Sequence, residues 1–493
     1  MVFSSLLFLY AFLPVSLTVY LLCPTMKAKN ISLLVFSLFF YAWGEPKYVL
    51  LLAAMALFDW FFALQIERTS QEKTQLRKLW VALACVVNLG LIGWFKYSGM
   101  IVSVFGEPPA FIANVALPIG ISFYTFQLLT YVVDVYRGEA KAQKQYWHVL
   151  LYAALFHQCI AGPIVRYQTI ADELFVSRDP YRDMPSGVIR FTTGLAKKVL
   201  LANTCGALAD KLLLTDAAIG DAAAFTANLQ SLSGTSVLGL WLCLLAYTFQ
   251  IYLDFSAYSD MAIGMGRMLG LHYLENFDYP YVSRSVTEFW RRWHMSLGTF
   301  FRDYVYIPLG GNRRGFGRTI LNLFIVWGLT GLWHGASWNF VLWGLYYFVF
   351  LVLERLFLQK FFDKLPRVLS AVLSHGYLLL VVMLGWVWFK FTDVRLALAM
   401  FKGLFGLTGN ALSDFVALTE LKSHMYFLVF CVLASTPLFR FVGEKWRLAG
   451  EDRPILAKCY IAVACGVLPV LFLILSTAGL VGNSYNPFLY FQF

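Results

Sequence analysis

Charged residues are scarce in this 493-residue chain, at 14% against roughly 25% in ordinary soluble domains. With 59% apolar residues, that deficit excludes a disordered chain and an ordinary water-soluble one. No polar block is long enough to form a soluble domain, so a single integral-membrane domain over 1–493 is expected. The eight cysteines include no CxxC pair and sit mostly in apolar stretches, which excludes a zinc or disulfide framework and leaves packing roles. No metal site is expected. No basic n-region precedes the uncharged run 2–26, so it reads as a retained first span rather than a cleaved signal peptide. There is no ladder of ten-residue alternating strands, which argues against a membrane barrel. GxSxG, Walker, HExxH and dinucleotide fingerprints are all missing, so covalent serine chemistry and nucleotide hydrolysis lack support. Internal repeats and low-complexity segments are missing as well.

What the chain does have is long uncharged or nearly uncharged runs, at 30–44, 48–66, 79–95, 108–133, 149–165, 222–253, 319–353, 368–389, 425–439 and 459–493. At about 20 apolar residues per span these give roughly ten to thirteen crossings or part-crossings, all helical. Lys plus Arg exceed Asp plus Glu by 39 to 28, a net +11 that marks cytoplasmic loops and anionic headgroups rather than nucleic acid. The loop with Lys27 and Lys29 and the loop with Arg68, Lys73, Arg77 and Lys78 are both expected in the cytoplasm, which puts the amino terminus outside. Basic residues flank the run 149–165 on both sides. With Gly162 and Pro163 near its end it reads as re-entrant, a geometry tolerated only where protein or water surrounds it.

Three clusters could carry chemistry. The run 319–353 lacks Asp, Glu, Lys and Arg; as one helix it would be about 52 Å long, against a hydrocarbon core of roughly 30 Å. It must break, and Gly331-Leu-Trp-His-Gly-Ala-Ser is the natural place. That puts His334 about 20 to 24 Å beyond Arg318, inside the membrane, where an ionisable group is a functional candidate. The bland reading is a neutral imidazole bridging helices. The second cluster is Thr287-Glu-Phe-Trp-Arg-Arg-Trp-His, continuing to Arg302, Asp303 and Tyr304. At 100° per residue Phe289, Trp290, Trp293, Leu297, Phe300, Phe301 and Tyr304 share one face, opposite Glu288, Arg291, Arg292 and Arg302. This predicts one interfacial helix with His294 at the edge of its apolar face. The third is Asp254-Phe-Ser-Ala-Tyr-Ser-Asp, where Asp254, Ser256, Ser259 and Asp260 either line a polar site or cap a helix. A histidine acting as general base toward a hydroxyl fits this inventory.

These residues resemble the membrane-bound O-acyltransferase (MBOAT) family in its bacterial AlgI-type branch, with peptidoglycan-acetylating and teichoic-acid D-alanylating relatives. The likeness runs through Met1-Val-Phe-Ser-Ser, Phe40-Tyr-Ala-Trp-Gly, Leu117-Pro-Ile-Gly-Ile-Ser-Phe-Tyr-Thr-Phe-Gln, Ile160-Ala-Gly-Pro-Ile and Asp254-Phe-Ser-Ala-Tyr-Ser-Asp-Met-Ala-Ile-Gly. It continues in Glu275-Asn-Phe, the tryptophan-rich segment ending at His294, Gly310-Gly-Asn-Arg, Gly331-Leu-Trp-His-Gly-Ala and Tyr490-Phe-Gln-Phe. The resemblance implies an all-α ring of about 11 transmembrane helices, with re-entrant and interfacial helices, around a central tunnel. It implies His334 as the catalytic histidine and His294 as the second. The other polar and aromatic residues of the shared motifs, Asp254, Ser256, Asp260, Asn276, Trp290 and Trp333, are expected to support the site or line the tunnel. Arg291 and Arg292 are expected to draw in an anionic donor such as acetyl-CoA or another acyl thioester, with no bound cofactor.

By the same resemblance an acyl group, acetyl or similarly short, passes from the cytoplasm through the inner membrane of a bacterial cell. It ends on an extracytoplasmic polysaccharide, such as an alginate-like glycan, cellulose or peptidoglycan, directly or through an extracytoplasmic acetyltransferase or relay protein. The segment Phe156-His-Gln-Cys departs from the family pattern, so His157 is not placed in the site. A non-catalytic conduit for polysaccharide or lipid-linked sugar, with His334 gating a polar pore, is the alternative.

Overall fold

The computed structural model describes residues 2–113, 115–160, 162–213 and 221–482; the expected motif residues Met1, Ala161 and Tyr490 to Phe493 lie outside them. Every regular element among the described residues is helical. Eight helices among these residues are long and apolar enough to cross a membrane, with a shorter apolar helix at Phe8–Leu22. The chain is thus an all-α polytopic membrane protein. By length and composition the count is eight, against about 11 expected.

The chain forms two compact units. One comprises the chain up to Leu195 with Ala257–Glu275 and Val467–Gly482; the other comprises Ala196–Ser256 with Asn276–Gly466. In the first, α1 (Val49–Arg68) packs against α2 (Thr74–Ile92), α3 (Ile121–Arg137) and α4 (Tyr146–Ala154). Asp59, fully buried on α1, would be prohibitive in an apolar interior without partners. Asn88 of α2 supplies them, donating to its two carboxylate oxygens at 2.8 and 3.0 Å while also holding the Ala84 carbonyl.

The run 149–165 is not a continuous span. At 1.5 Å per residue the nine residues of α4 make about 14 Å, too little to cross. Beyond it the backbone is irregular but buried, and its polar groups are met locally. The Phe156 amide donates to Ser37 Oγ, Tyr152 Oη donates to the Val165 carbonyl, and Gln158 donates to the Tyr152 carbonyl. Non-helical backbone at depth requires such pairing.

The helix α5 (Val237–Met268) contributes residues to both units. In the second unit follow α6 (Val286–Arg292), α7 (Met295–Phe301), α8 (Phe316–His334), α9 (Trp338–Leu353) and α10 (Arg367–Lys390). Here α9 packs against α8, α10 and α6. Their facing sides are aromatic, with Trp343, Trp386 and Tyr347 fully buried.

Candidate active site

The run 319–353 breaks where its length demanded. α8 ends at His334, Gly335 to Ser337 turn the chain, and α9 begins at Trp338. Two glycines let the helices of this hairpin lie unusually close. A Cβ on Gly331 would strike the Phe340 carbonyl oxygen, and one on Gly344 would strike the Trp327 carbonyl oxygen. Position 327 opposite 344 and 331 opposite 340 is the register of an antiparallel pair. Gly344→Val is therefore expected to force the hairpin apart. Overpacking costs about 1–3 kcal/mol and here meets backbone that cannot rotate away. A lowered unfolding temperature and reduced recovery of monodisperse protein in detergent would report it.

The hairpin sets His334 at the end of α8, 8% exposed, inside a box of rings. Trp333 and Trp343 lie 4.8 Å from it between ring centroids and Phe389 lies 5.0 Å away.

His294 arrives differently. The single helix expected over 288–304 is two helices, α6 and α7, broken by an extended Trp293 and by His294 in the left-handed region at φ 46°. Non-local hydrogen bonds cause the break. The Asp278 amide takes the Arg292 carbonyl, the Met295 amide takes the Asn276 carbonyl at 2.9 Å, and the Ser296 amide takes Asn276 Oδ1 at 3.1 Å. These compensate the strain of a left-handed non-glycine residue. The aromatic stripe faces protein: Phe289 and Trp293 are buried, and Trp290 packs on Trp327, Trp343 and Tyr347. The start of α6 is gripped from the far end of the hairpin, where buried Glu354 accepts from the Val286 amide at 2.5 Å, the Thr287 amide at 3.0 Å and Thr287 Oγ1 at 2.7 Å. Glu354 was not legible as a site residue, since a lone carboxylate past an apolar run reads as a span boundary.

The two histidines share one indole. Trp333 lies 5.7 Å from the His294 ring and 4.8 Å from the His334 ring. His294 Nδ1 lies 3.2 Å from Asn276 Oδ1, and its ring stands perpendicular to that of Phe255 with the centroids 4.7 Å apart. His294 lies outside the long apolar helices, and burial pushes its pKa down to about 3, so the ring is neutral near pH 7. Among the described residues, His294 Nε2 and the indole nitrogens of Trp290 and Trp343 have no hydrogen-bond partner. Each such group costs about 1–3 kcal/mol unless water or a ligand engages it.

The remaining expected residues divide. Asp254 forms a 2.9 Å ion pair with Lys198, both almost completely buried, and Lys197 donates to Ser256 at 3.2 Å. In the sequence Lys197-Lys198 interrupts the otherwise apolar stretch 195–202. Asp260 belongs to the first unit, where it pairs with Arg190 at 2.6 Å, and Arg190 also pairs with Glu275 at 2.5 Å. Arg292 is tied to Asp278 and Glu288, both at 3.0 Å, whereas Arg291 is exposed. His157, left out of the site, is fully buried in the first unit, hydrogen-bonded to Tyr273 and stacked on its ring at 5.3 Å.

A multi-pass helical protein that buries two histidines against one indole is suited to chemistry on hydroxyl and acyl groups away from bulk water. The chain belongs to the membrane-bound O-acyltransferase family, whose sequence profile matches residues 34–389. It is 35% identical to the probable alginate O-acetylase AlgI of Azotobacter vinelandii and 36% identical to that of Pseudomonas aeruginosa, over the full length of both chains each time. It is 31% identical to the peptidoglycan O-acetyltransferase of Helicobacter pylori, over 84% of this chain and 81% of that one. The protein is an O-acyltransferase of a bacterial membrane.

Proposed function

We propose that the protein O-acetylates an extracytoplasmic polysaccharide, working as one integral-membrane domain in the inner membrane. The donor is a cytoplasmic acyl thioester such as acetyl-CoA, and the acyl group crosses through a tunnel among the helices. The acceptor hydroxyl belongs to the glycan or to an extracytoplasmic partner that relays the group. His334 takes the hydroxyl proton as the oxygen attacks the thioester carbonyl; the carbon–sulfur bond breaks, and the departing thiolate recovers that proton. His294 orients the hydroxyl, while Asp254, Ser256, Asn276, Trp290 and Trp333 shape the surroundings. The observation that carries this reading is the pair of buried histidines on the Trp333 indole. Family relatives named as alginate and peptidoglycan acetylating enzymes support the acceptor class.

The test is the acetyl-ester content of isolated surface glycan from cells lacking the native protein, with and without the wild-type chain restored. No gain in ester would sink the proposal. Donor capture is tested separately with purified protein. Arg291 is exposed, so Arg291→Ala is expected to raise KM for an acyl-CoA several-fold with kcat unchanged, an effect that weakens with salt. Arg292→Ala also breaks two ion pairs and is expected to lower stability as well.

A further inference from the structure

Asn276 Oδ1 lies at the centre of a small hydrogen-bond cluster. It accepts from the Ser296 amide at 3.1 Å and from Ser296 Oγ at 2.9 Å, and it lies 3.2 Å from His294 Nδ1. The backbone amide can only donate, so the atom facing it is the oxygen of the side-chain amide, not its nitrogen. That removes the usual ambiguity of an asparagine flip. The Ser296 hydroxyl spends its proton on the same oxygen, so toward Nδ1, at 3.4 Å, it is an acceptor as well. Both groups at Nδ1 are acceptors, and Nδ1 must carry the hydrogen. The other ring nitrogen, Nε2, is then a bare lone pair, buried and unpartnered among the described residues.

Resting on the acyl-transfer reading above, we infer that Asn276 is a positioning residue that locks His294 in the Nδ1–H tautomer, so that Nε2 receives the hydrogen bond of the incoming acceptor hydroxyl. In the opposite tautomer Nε2 would carry a hydrogen and could not accept from the hydroxyl at all. The hydroxyl has a single hydrogen, so it docks with that hydrogen on His294 Nε2 and must turn it toward His334 before His334 removes it. The hydrogen-bond ring that holds the tautomer also holds the left-handed turn, because the Asn276 carbonyl bonds the Met295 amide. That backbone bond survives any side-chain change at position 276.

The test has a readout independent of activity. In protein carrying 15N-labelled histidine, the His294 resonances are identified by their loss in His294→Gln. A protonated Nδ1 and an unprotonated Nε2 are expected at neutral pH. The reverse pattern, or a doubly protonated ring, overturns the inference. Asn276→Leu, of similar shape without an acceptor, is expected to mix the tautomers and lower kcat by about 10- to 100-fold with KM for the thioester unchanged. Asn276→Asp keeps an acceptor and is expected to retain the Nδ1–H pattern. Unchanged kcat in folded Asn276→Leu also overturns the inference. Should that variant fail to fold, the wild-type spectrum decides alone. A wild type that shows the expected tautomer yet transfers no acyl group would count against the proposed function and not against the tautomer.

Discussion

His334→Ala is expected to abolish glycan O-acetylation in cells that make it at wild-type membrane levels. Loss of a general base slows a reaction by roughly 100- to 10,000-fold, enough to bring ester content to background in a growing culture. Packing complicates the alanine variant, because the ring fills a space between Trp333, Trp343 and Phe389. His334→Gln fills most of that space with a side chain that cannot take up a proton at neutral pH, and it is expected to be as inactive as the alanine variant while melting near the wild-type temperature. Hydrolysis or transfer from a thioester by purified protein, followed as free thiol, separates chemistry from export. A conduit whose histidine merely gates a pore would keep some flux in His334→Gln. Full esterification in that variant would remove His334 from the chemistry.

The parts of the site that were legible in the sequence are those fixed by length and solvation. A 35-residue uncharged run cannot be one membrane helix, and glycines around a histidine mark where it turns, so His334 and its hairpin follow from composition. The break before His294 was hidden because the aromatic period of 3.6 runs unbroken through 289–304. It is enforced from Asn276 and Asp278, an earlier loop whose pairing no local pattern reveals. Asp254 and Asp260 looked like one cluster because they share a helix. Six residues, however, turn the helix by about 240° beyond a full circle, and the two carboxylates face different cations, Lys198 and Arg190. Lys197-Lys198 is hidden for a related reason: adjacent lysines in a membrane protein read as the edge of a loop, yet a buried carboxylate requires a buried cation.

That buried pair carries the second large effect. Lys198 and Asp254 have side chains 1% and 2% exposed, so their 2.9 Å pairing supplies stabilisation that water cannot reach them to give. Lys198→Met is expected to destabilise the protein by about 3–5 kcal/mol, because it removes the cation 2.9 Å from a buried carboxylate, and Asp254→Leu by a similar amount for the reverse reason. Both should be visible as lower yield and a lower melting temperature in detergent. The double variant replaces two charges by two apolar side chains of similar size and is expected to regain most of the lost stability. Its activity then reveals what the pair does. If the ion pair only ties the stretch near Lys198 to α5, the double variant should acylate at near wild-type rates. If Asp254 also tunes the field around the histidines, the double variant should fold well and turn over slowly, with kcat falling and KM for the thioester holding. Additive destabilisation in the double variant would show that the two charges do not depend on each other, and would remove the pair from the account of how this interior is held together.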